Sequence, residues 1–152
     1  MRRNLVQAVV AAAVLSSLIA GAVAYAATAT FGATMTPQQV ISPTGKRWQV
    51  PPSVKAARGT LTATLAADGR TLNWRITYAK VAGSVIADIH IGRPGTFGAV
   101  LGRLCSACRS GQKGHLKLTR NAAGQVRLNN TWVALITPKY PNGIVRGQIT
   151  RR

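Results

Sequence analysis

The chain is poor in the residue types that most often carry chemistry. Its 152 residues contain two aspartates, Asp68 and Asp88, no glutamate, two histidines and two cysteines. Because Asp68 falls in a predicted turn, no pair of carboxylates is available for general acid–base catalysis. Neither a Gly-x-Ser-x-Gly elbow nor a glycine-rich phosphate loop after a strand is present. The sequence therefore predicts a protein that is not an enzyme and that carries no cofactor.

Acidic residues are so few that most basic residues lack an internal partner. The chain has a formal charge of +18, and removal of Arg2 and Arg3 lowers it by two, to +16. The cations are dispersed without a basic block or a nucleic-acid signature, so no specific nucleic-acid binding is predicted. A basic surface attracts polyanions, and salt weakens the attraction. The predicted partner is an anionic envelope polymer or a lipid head group, and a charge that serves only solubility is the alternative.

The N-terminus is predicted to be an export signal. A basic start, Met1–Asn4, precedes the apolar run Leu5–Ala24, and Ala24-Tyr25-Ala26 fits the small-x-small rule for cleavage before Ala27. A retained membrane anchor is the alternative, because the run is about long enough to span a bilayer. We expect a signal peptide over residues 1–26 and a product that is secreted, periplasmic or held at the cell surface.

The rest of the chain divides into a proline-containing segment, residues 27–58, and a core, residues 59–150. Phe31–Met35 is predicted to be an edge strand of the first part. From Gly59 onwards apolar and polar residues alternate, and Asp68-Gly69 marks a hairpin turn. Later strands are predicted at Val85–Ile91, Val100–Leu104, His115–Thr119, Val126–Leu128, Trp132–Thr137 and Ile144–Thr150, with turns at Asn121–Gly124 and Pro141–Gly143. No helical period is evident, so the pattern predicts an antiparallel sandwich or barrel.

Asp88 and His90 stand two apart in a predicted strand. Side chains alternate in a strand, so the two share one face while Ala87 and Ile89 share the other. We expect the apolar face to be buried and the polar face to be solvated. Copper or zinc binding through Asp88, His90 and the second histidine, His115, is the alternative, but zinc needs three or four ligands and copper sites are usually richer in histidine. No metal site is therefore predicted.

The cysteines, Cys105 and Cys108, form a Cys-x-x-Cys motif. An exported chain meets oxidising conditions, so a disulfide between them is expected. A thiol–disulfide function is one alternative. A redox-active motif normally begins a helix, however, and this motif is surrounded by the loop residues Gly102, Ser110 and Gly111. Zinc binding with His115 is another, and it lacks a fourth ligand.

The three tryptophans are spread along the sequence. Trp74 and Trp132 are predicted to lie in the core or on a sheet face. A carbohydrate platform that combines them with Trp48 is the alternative interpretation.

The C-terminal hairpin carries the most distinctive motif. Thr131–Thr137 is followed by Tyr140-Pro141-Asn142-Gly143 and then by Arg146-Gly147-Gln148-Ile149. This order resembles the closing motif of the CHRD domain, named from chordin and common in exported bacterial proteins. Earlier landmarks agree with the same family: Val50-Pro51-Pro52, Gly59-Thr60, Asp68-Gly69, Ala87–Gly92 and Leu104–Cys108. The resemblance implies an immunoglobulin-like or superoxide-dismutase-like Greek-key β-sandwich without an established enzyme activity.

Three positions depart from the family pattern. Asp88 and His90 stand where the family tends to have His-x-His, Ile136 where it tends to have His, and Ile144 where it tends to have Glu. If some members bind a metal through those histidines, this chain keeps one of three. The departures favour a structural role for His90. We therefore expect an exported, non-enzymatic module that binds anionic material.

Overall fold

The computed structural model describes residues 28–152, which are mainly antiparallel β-structure. The elements are β1 (Ala29–Met35), β2 (Arg58–Leu65), β3 (Thr71–Ala79), β4 (Ile86–Ile91), β5 (Val100–Cys105), β6 (Lys113–Lys117), α1 (Arg120–Arg127), β7 (Thr131–Thr137) and β8 (Tyr140–Arg151). Short 3-10 turns cover Pro37–Gln39 and Pro52–Val54. The predicted signal segment, residues 1–26, lies outside the described residues. None of the helices in the described part is long and apolar enough to cross a membrane.

The eight strands form one antiparallel sheet in the order β5-β4-β7-β8-β1-β2-β3-β6. Its halves, β5-β4-β7-β8 and β1-β2-β3-β6, join where β1 pairs with β8 at Phe31–Arg151 and Gly32–Thr150. The two ends of the sheet also approach each other, because a Cβ atom on Gly102 of β5 would lie 2.8 Å from the side chain of Leu116 on β6. The sheet is thus nearly closed into a barrel-like sandwich. The predicted all-β antiparallel sandwich is confirmed.

The core lies between the two halves. Leu61, Trp74, Ile89 and Val145 are each at most 5% exposed, as the two-residue alternation predicted. Gly114 makes room for the largest of them, because a Cβ atom there would overlap the ring of Trp74. The apolar face of each strand is therefore buried against the opposite half.

The N-terminal segment belongs to this core. Phe31–Met35 was predicted to be an edge strand, and this is wrong: β1 pairs with β2 along its whole length and also with β8. Phe31 and Met35 are both fully buried. Pairing with β8 joins the two ends of the domain, so no local pattern reveals it. The sandwich begins at Ala29 rather than at Gly59.

A short helix replaces two predicted elements. Asn121–Gly124 was predicted to be a turn and Val126–Leu128 a strand, but Arg120–Arg127 forms α1. The hydroxyl of Thr119 caps it by accepting a hydrogen bond from the Ala122 amide at 3.1 Å. Its buried residues are Ala122, Ala123 and Val126. Three small or branched residues around a glycine give too weak a helical period to identify from sequence.

The last hairpin turns earlier than predicted. The predicted turn at Pro141–Gly143 lies inside β8, and the chain reverses at residues 138–139, between the paired Thr137 and Tyr140. The register then shifts opposite Leu135–Thr137 to accommodate the extra residues. Gly143 has φ 105°, a left-handed conformation that glycine adopts readily.

Candidate functional site

Polar residues of three neighbouring strands meet on the side of β4, β7 and β8 that faces away from the core. His90 pairs with Trp132 and Asp88 with Ala134 across β4 and β7. Trp132 in turn pairs with Gln148, and Ala134 with Arg146, across β7 and β8. Because cross-strand partners share a face, these residues form one continuous layer. Asp88 and His90 thus share a face opposite Ala87 and Ile89, as predicted.

This layer is covered, and the prediction that Asp88 and His90 are solvated is wrong. Asp88 is 2% exposed and His90 7% exposed. The loop between β4 and β5, residues 92–99, folds back over the strands. Its carbonyl groups accept hydrogen bonds from His90 Nδ1 (3.0 Å, at Gly98) and from Arg146 Nη2 (2.6 Å, at Thr96). We call the layer of Asp88, His90, Trp132, Arg146 and Gln148 the covered face.

Glycines allow the loop to approach so closely. A Cβ atom on Gly98 would overlap the carbonyl of Ile91. Gly92 has φ 149°, and a Cβ atom there would lie 2.9 Å from Nε1 of Trp132. A side chain at either position would displace the loop, because these contacts are tighter than packed atoms tolerate.

The Arg-Gly-Gln motif of β8 holds this arrangement together. Arg146 donates to the loop, and Gln148 Nε2 donates to the carbonyls of Gly92 at 3.0 Å and Asn129 at 2.9 Å. Between them, a Cβ atom on Gly147 would overlap the carbonyl of Thr34 on β1. The motif therefore combines two loop-binding side chains with a close approach of backbones.

An aromatic stack fills the centre of the covered face. The rings of His90 and Trp132 are parallel within 4°, with centroids 3.9 Å apart. The guanidinium carbon of Arg146 lies 3.8 Å from the Trp132 ring centroid, close enough for a cation–π interaction. Phe97 from the loop packs at a tilt, 5.9 Å from Trp132.

Asp88 is paired with an arginine of the neighbouring strand. Arg103 donates from Nε to Oδ1 at 2.8 Å and from Nη2 to Oδ2 at 3.1 Å, so both carboxylate oxygens are engaged. The hydrogen bonds from Arg103 to this carboxylate raise the pKa of Arg103. The Arg103 side chain remains 51% exposed, whereas that of Asp88 is 3% exposed. The negative charge of the covered face is thus neutralised from its rim.

His90 is held as a neutral ring. A carbonyl can only accept a hydrogen bond, so Nδ1, which faces Gly98, carries the proton and Nε2 is bare. Nε2 is buried without a hydrogen-bond partner. Burial lowers the pKa of His90 from its ordinary value of 6.5, because the charged ring would lose its hydration.

Arg146 is a buried cation. Burial lowers its pKa to about 10, well below the usual value for arginine, and the side chain therefore remains charged at neutral pH. Nη2 donates to Thr96, while Nη1 is buried without a hydrogen-bond partner. Among the described residues, no carboxylate lies within 4.0 Å of it.

The structure does not assemble the alternative metal ligands. His115 is exposed on β6, where it pairs with Asn73 of β3, and Asp88 is taken by Arg103. No three His, Cys, Asp or Glu side chains in the described chain are grouped so that they could hold a metal ion. The residues present therefore do not fit a copper or zinc centre. At the other departures, Ile136 pairs with Ile86, and Ile144 is buried in the apolar core.

Cys105 and Cys108 form a disulfide at the end of β5. The amide of Cys108 donates to the carbonyl of Val85 at 2.8 Å, and the hydroxyl of Tyr78 donates to the carbonyl of Cys108 at 2.6 Å. Both cysteines are buried, and a bend rather than a helix follows the first one. The bridge closes a short loop at the start of the β5–β6 connection, and the two hydrogen bonds of Cys108 tie this loop to β3 and to the residue before β4.

A concave site distinct from the covered face lies beside the Tyr-Pro-Asn-Gly motif. The rings of Trp48 and Tyr140 meet edge to face, with centroids 5.4 Å apart, beside a groove of about 490 Å³. Lys46, Arg47 and Lys139 line the same groove, which we call the basic groove. Trp74 and Trp132 are buried elsewhere, so the three tryptophans form no common platform. Sequence reasoning missed this site, because Trp48 and Tyr140 lie far apart in the sequence and only the fold brings them together.

One comparison with known proteins identifies a family for this chain. The family model of the CHRD domain matches residues 31–149, from β1 to the end of the Arg-Gly-Gln-Ile motif. The chain therefore belongs to the CHRD-domain family. No curated protein and no solved structure matches the chain.

Proposed function

We propose that this CHRD-domain chain is exported and that it binds an acidic polymer of the cell envelope along the basic groove, without catalysing a reaction. The observation that supports this most directly is that both aspartates are already paired with a basic residue of the protein. Asp88 is paired with Arg103, and Asp68 with Lys117 at 3.1 Å. Every other Lys and Arg of the described residues has no carboxylate within 4.0 Å. Counter-charge for this surface must come from outside the chain.

The composition of the groove favours a polymer over a lipid surface. The rings of Trp48 and Tyr140 are half-buried beside a concave site, and Lys46, Arg47 and Lys139 line it. Aromatic faces suit the flat apolar side of a sugar or chain unit, while the cations suit its charges. A membrane-binding surface would instead present protruding apolar side chains. We therefore expect the polymer to lie along the groove, and we do not expect the protein to insert into a bilayer.

A non-catalytic role is supported by the engagement of the titratable groups. Both carboxylates are bound by cations, and His90 is covered by residues 92–99. A general acid or base must reach a substrate proton. Asp88 and His90 are buried and cannot do so, while Asp68, which is exposed, is held by Lys117. Export is supported by the apolar run Leu5–Ala24 and its small-x-small end.

The proposal is tested by binding of the protein to purified acidic envelope polymer at physiological ionic strength. We compare the double variant Lys46→Gln/Lys139→Gln with Lys55→Gln/Lys80→Gln, which removes the same charge away from the groove. The groove variant should weaken binding about tenfold or more, and the control about twofold, since contacts inside a site contribute more than distant charges. Equal losses in both variants would contradict the proposal. So would binding to anionic lipid vesicles without binding to the polymer.

A further inference from the structure

Arg146 lacks the partner that a buried charge normally has. It is 4% exposed, and its contacts are the Thr96 carbonyl and the Trp132 ring. Neither carries a full negative charge. Buried ions are usually paired, because a dipole and a ring only partly replace lost hydration. Asp88 on the same face shows the normal arrangement, with Arg103 on both of its oxygens.

A cavity adjoins this unpaired guanidinium. It has a volume of about 320 Å³, and its lining carries guanidinium and carboxamide groups but no carboxylate. The nitrogen-bearing residues of the lining are Arg146, Arg47, Gln38, Gln39 and Gln148, of which Gln39 and Gln148 already donate from Nε2 to carbonyl groups of the protein. Arg47 is exposed and has no carboxylate partner, so its side chain can move toward a ligand. We call this cavity the anion pocket.

We infer that the anion pocket binds a tetrahedral oxyanion, a phosphate or sulfate group, between Arg146 and Arg47. A guanidinium matches two oxygens of such a group with parallel N–H donors, and Arg is preferred over Lys where this geometry matters. The anion would supply the counter-charge that Arg146 lacks inside the fold. The pocket differs from the basic groove, which Arg47 also lines, in having a fixed, buried cation. This inference goes beyond the proposed function, because a free anion could occupy the pocket without any polymer.

The chain offers a matched pair of variants for the test. Arg47→Gln removes a cation that lines the anion pocket, and Lys46→Gln removes its neighbour, which does not line it. Both side chains are exposed, so both variants should fold. Inorganic phosphate is titrated by calorimetry at constant ionic strength. Arg47→Gln should weaken phosphate binding about tenfold, as expected for the loss of a charged hydrogen-bond donor, and Lys46→Gln less than twofold.

A second measurement reports on Arg146 itself. Phosphate should shift the indole N–H signal of Trp132, whose ring contacts the Arg146 guanidinium, with the same midpoint as the calorimetric titration. Arg146→Lys keeps the charge but loses the paired donors, so we expect it to weaken phosphate binding more than Arg47→Gln does. Equal phosphate affinities in Arg47→Gln and Lys46→Gln, or an unmoved Trp132 signal at saturation, would overturn the inference.

A competition between phosphate and the polymer shows whether the bound anion is free or belongs to the polymer. If saturating phosphate displaces the polymer, the pocket holds a substituent of that polymer; if it does not, the pocket holds a free anion. Both results support the pocket once phosphate binding depends on Arg47. If phosphate does not bind in the anion pocket, polymer binding can still depend on Lys46 and Lys139. If the protein does not bind the polymer, phosphate binding in the anion pocket is unaffected.

Discussion

The outer faces of the two sheet halves follow the same alternation and end in opposite environments. On β2, Thr60 and Thr62 are exposed, and Thr60 exchanges a hydrogen bond with Thr77 of β3 at 2.5 Å between hydroxyl oxygens. On β4, Asp88 and His90 are buried. We call the side of β2 and β3 that carries these exposed threonines the open face. The covered face, in contrast, lies under residues 92–99. The alternation of side chains along a strand therefore assigns each side chain to a face, and the tertiary structure decides whether that face is exposed to solvent.

The covered face shows how buried polar groups are accommodated. Asp88 has a cation at its rim, His90 is neutral and hydrogen-bonded, and Gln148 is held by two carbonyls. Arg146 is the exception, since it is buried without a carboxylate. A layer in which a single charge remains uncompensated is a natural place for a ligand.

The largest expected difference between the two faces comes from their central side chains. Trp132→Ala should lower the free energy of unfolding by about 3–5 kcal/mol, because it empties the middle of the covered face. Thr62→Ala on the open face should change it by less than about 0.5 kcal/mol. Urea denaturation of both variants gives the comparison. A loss below about 1 kcal/mol for Trp132→Ala would mean that the cover over this face contributes little to stability.

The two ion pairs allow a second comparison at equal charge. Arg103→Gln leaves the buried carboxylate of Asp88 without its cation and should lower the free energy of unfolding about twice as much as Lys117→Gln, because a buried charge then has no partner. Lys117→Gln leaves Asp68, whose side chain is 45% exposed, and should lower the free energy of unfolding less, because water hydrates the remaining carboxylate.

A double-variant cycle checks the cause of that difference. Adding Asp88→Asn to Arg103→Gln should recover part of the lost free energy of unfolding, since no unpaired charge then remains buried. Equal costs for Arg103→Gln and Lys117→Gln would show that Asp88 is as well hydrated as Asp68.

Much of the sandwich was predictable because alternation is a local signal. The β2–β3 hairpin follows from Leu61, Trp74 and the Asp68-Gly69 turn, and the strands β4, β5, β7 and β8 were placed correctly apart from their ends. The interior position of β1 was not predictable, because its partner β8 lies at the other end of the chain. Helix α1 was missed because its apolar stripe is so short.

The sites depend on contacts that no local pattern contains. The basic groove brings Trp48 beside Tyr140, and the covered face needs residues 92–99 to fold back over β4 and β8. Sequence reasoning found Arg146, Gly147 and Gln148 as a motif but not their role. One signal was available: a loop with three glycines, Gly92, Gly95 and Gly98, next to a strand with two polar residues indicates close backbone approach.

The burial of the covered face is tested most directly by the titration of His90. In His115→Gln, a chain with one imidazole, the ring signal of His90 can be followed by NMR as the pH falls. We predict a midpoint below 6.5, because burial disfavours the charged ring. The unfolded chain then binds a proton near pH 6.5, while the folded chain binds it only at lower pH. The contribution of the neutral His90 to the free energy of unfolding is therefore fully present above pH 6.5 and is lost as the pH falls below it. A midpoint at or above 6.5 would contradict a buried, neutral His90 and the covered face with it.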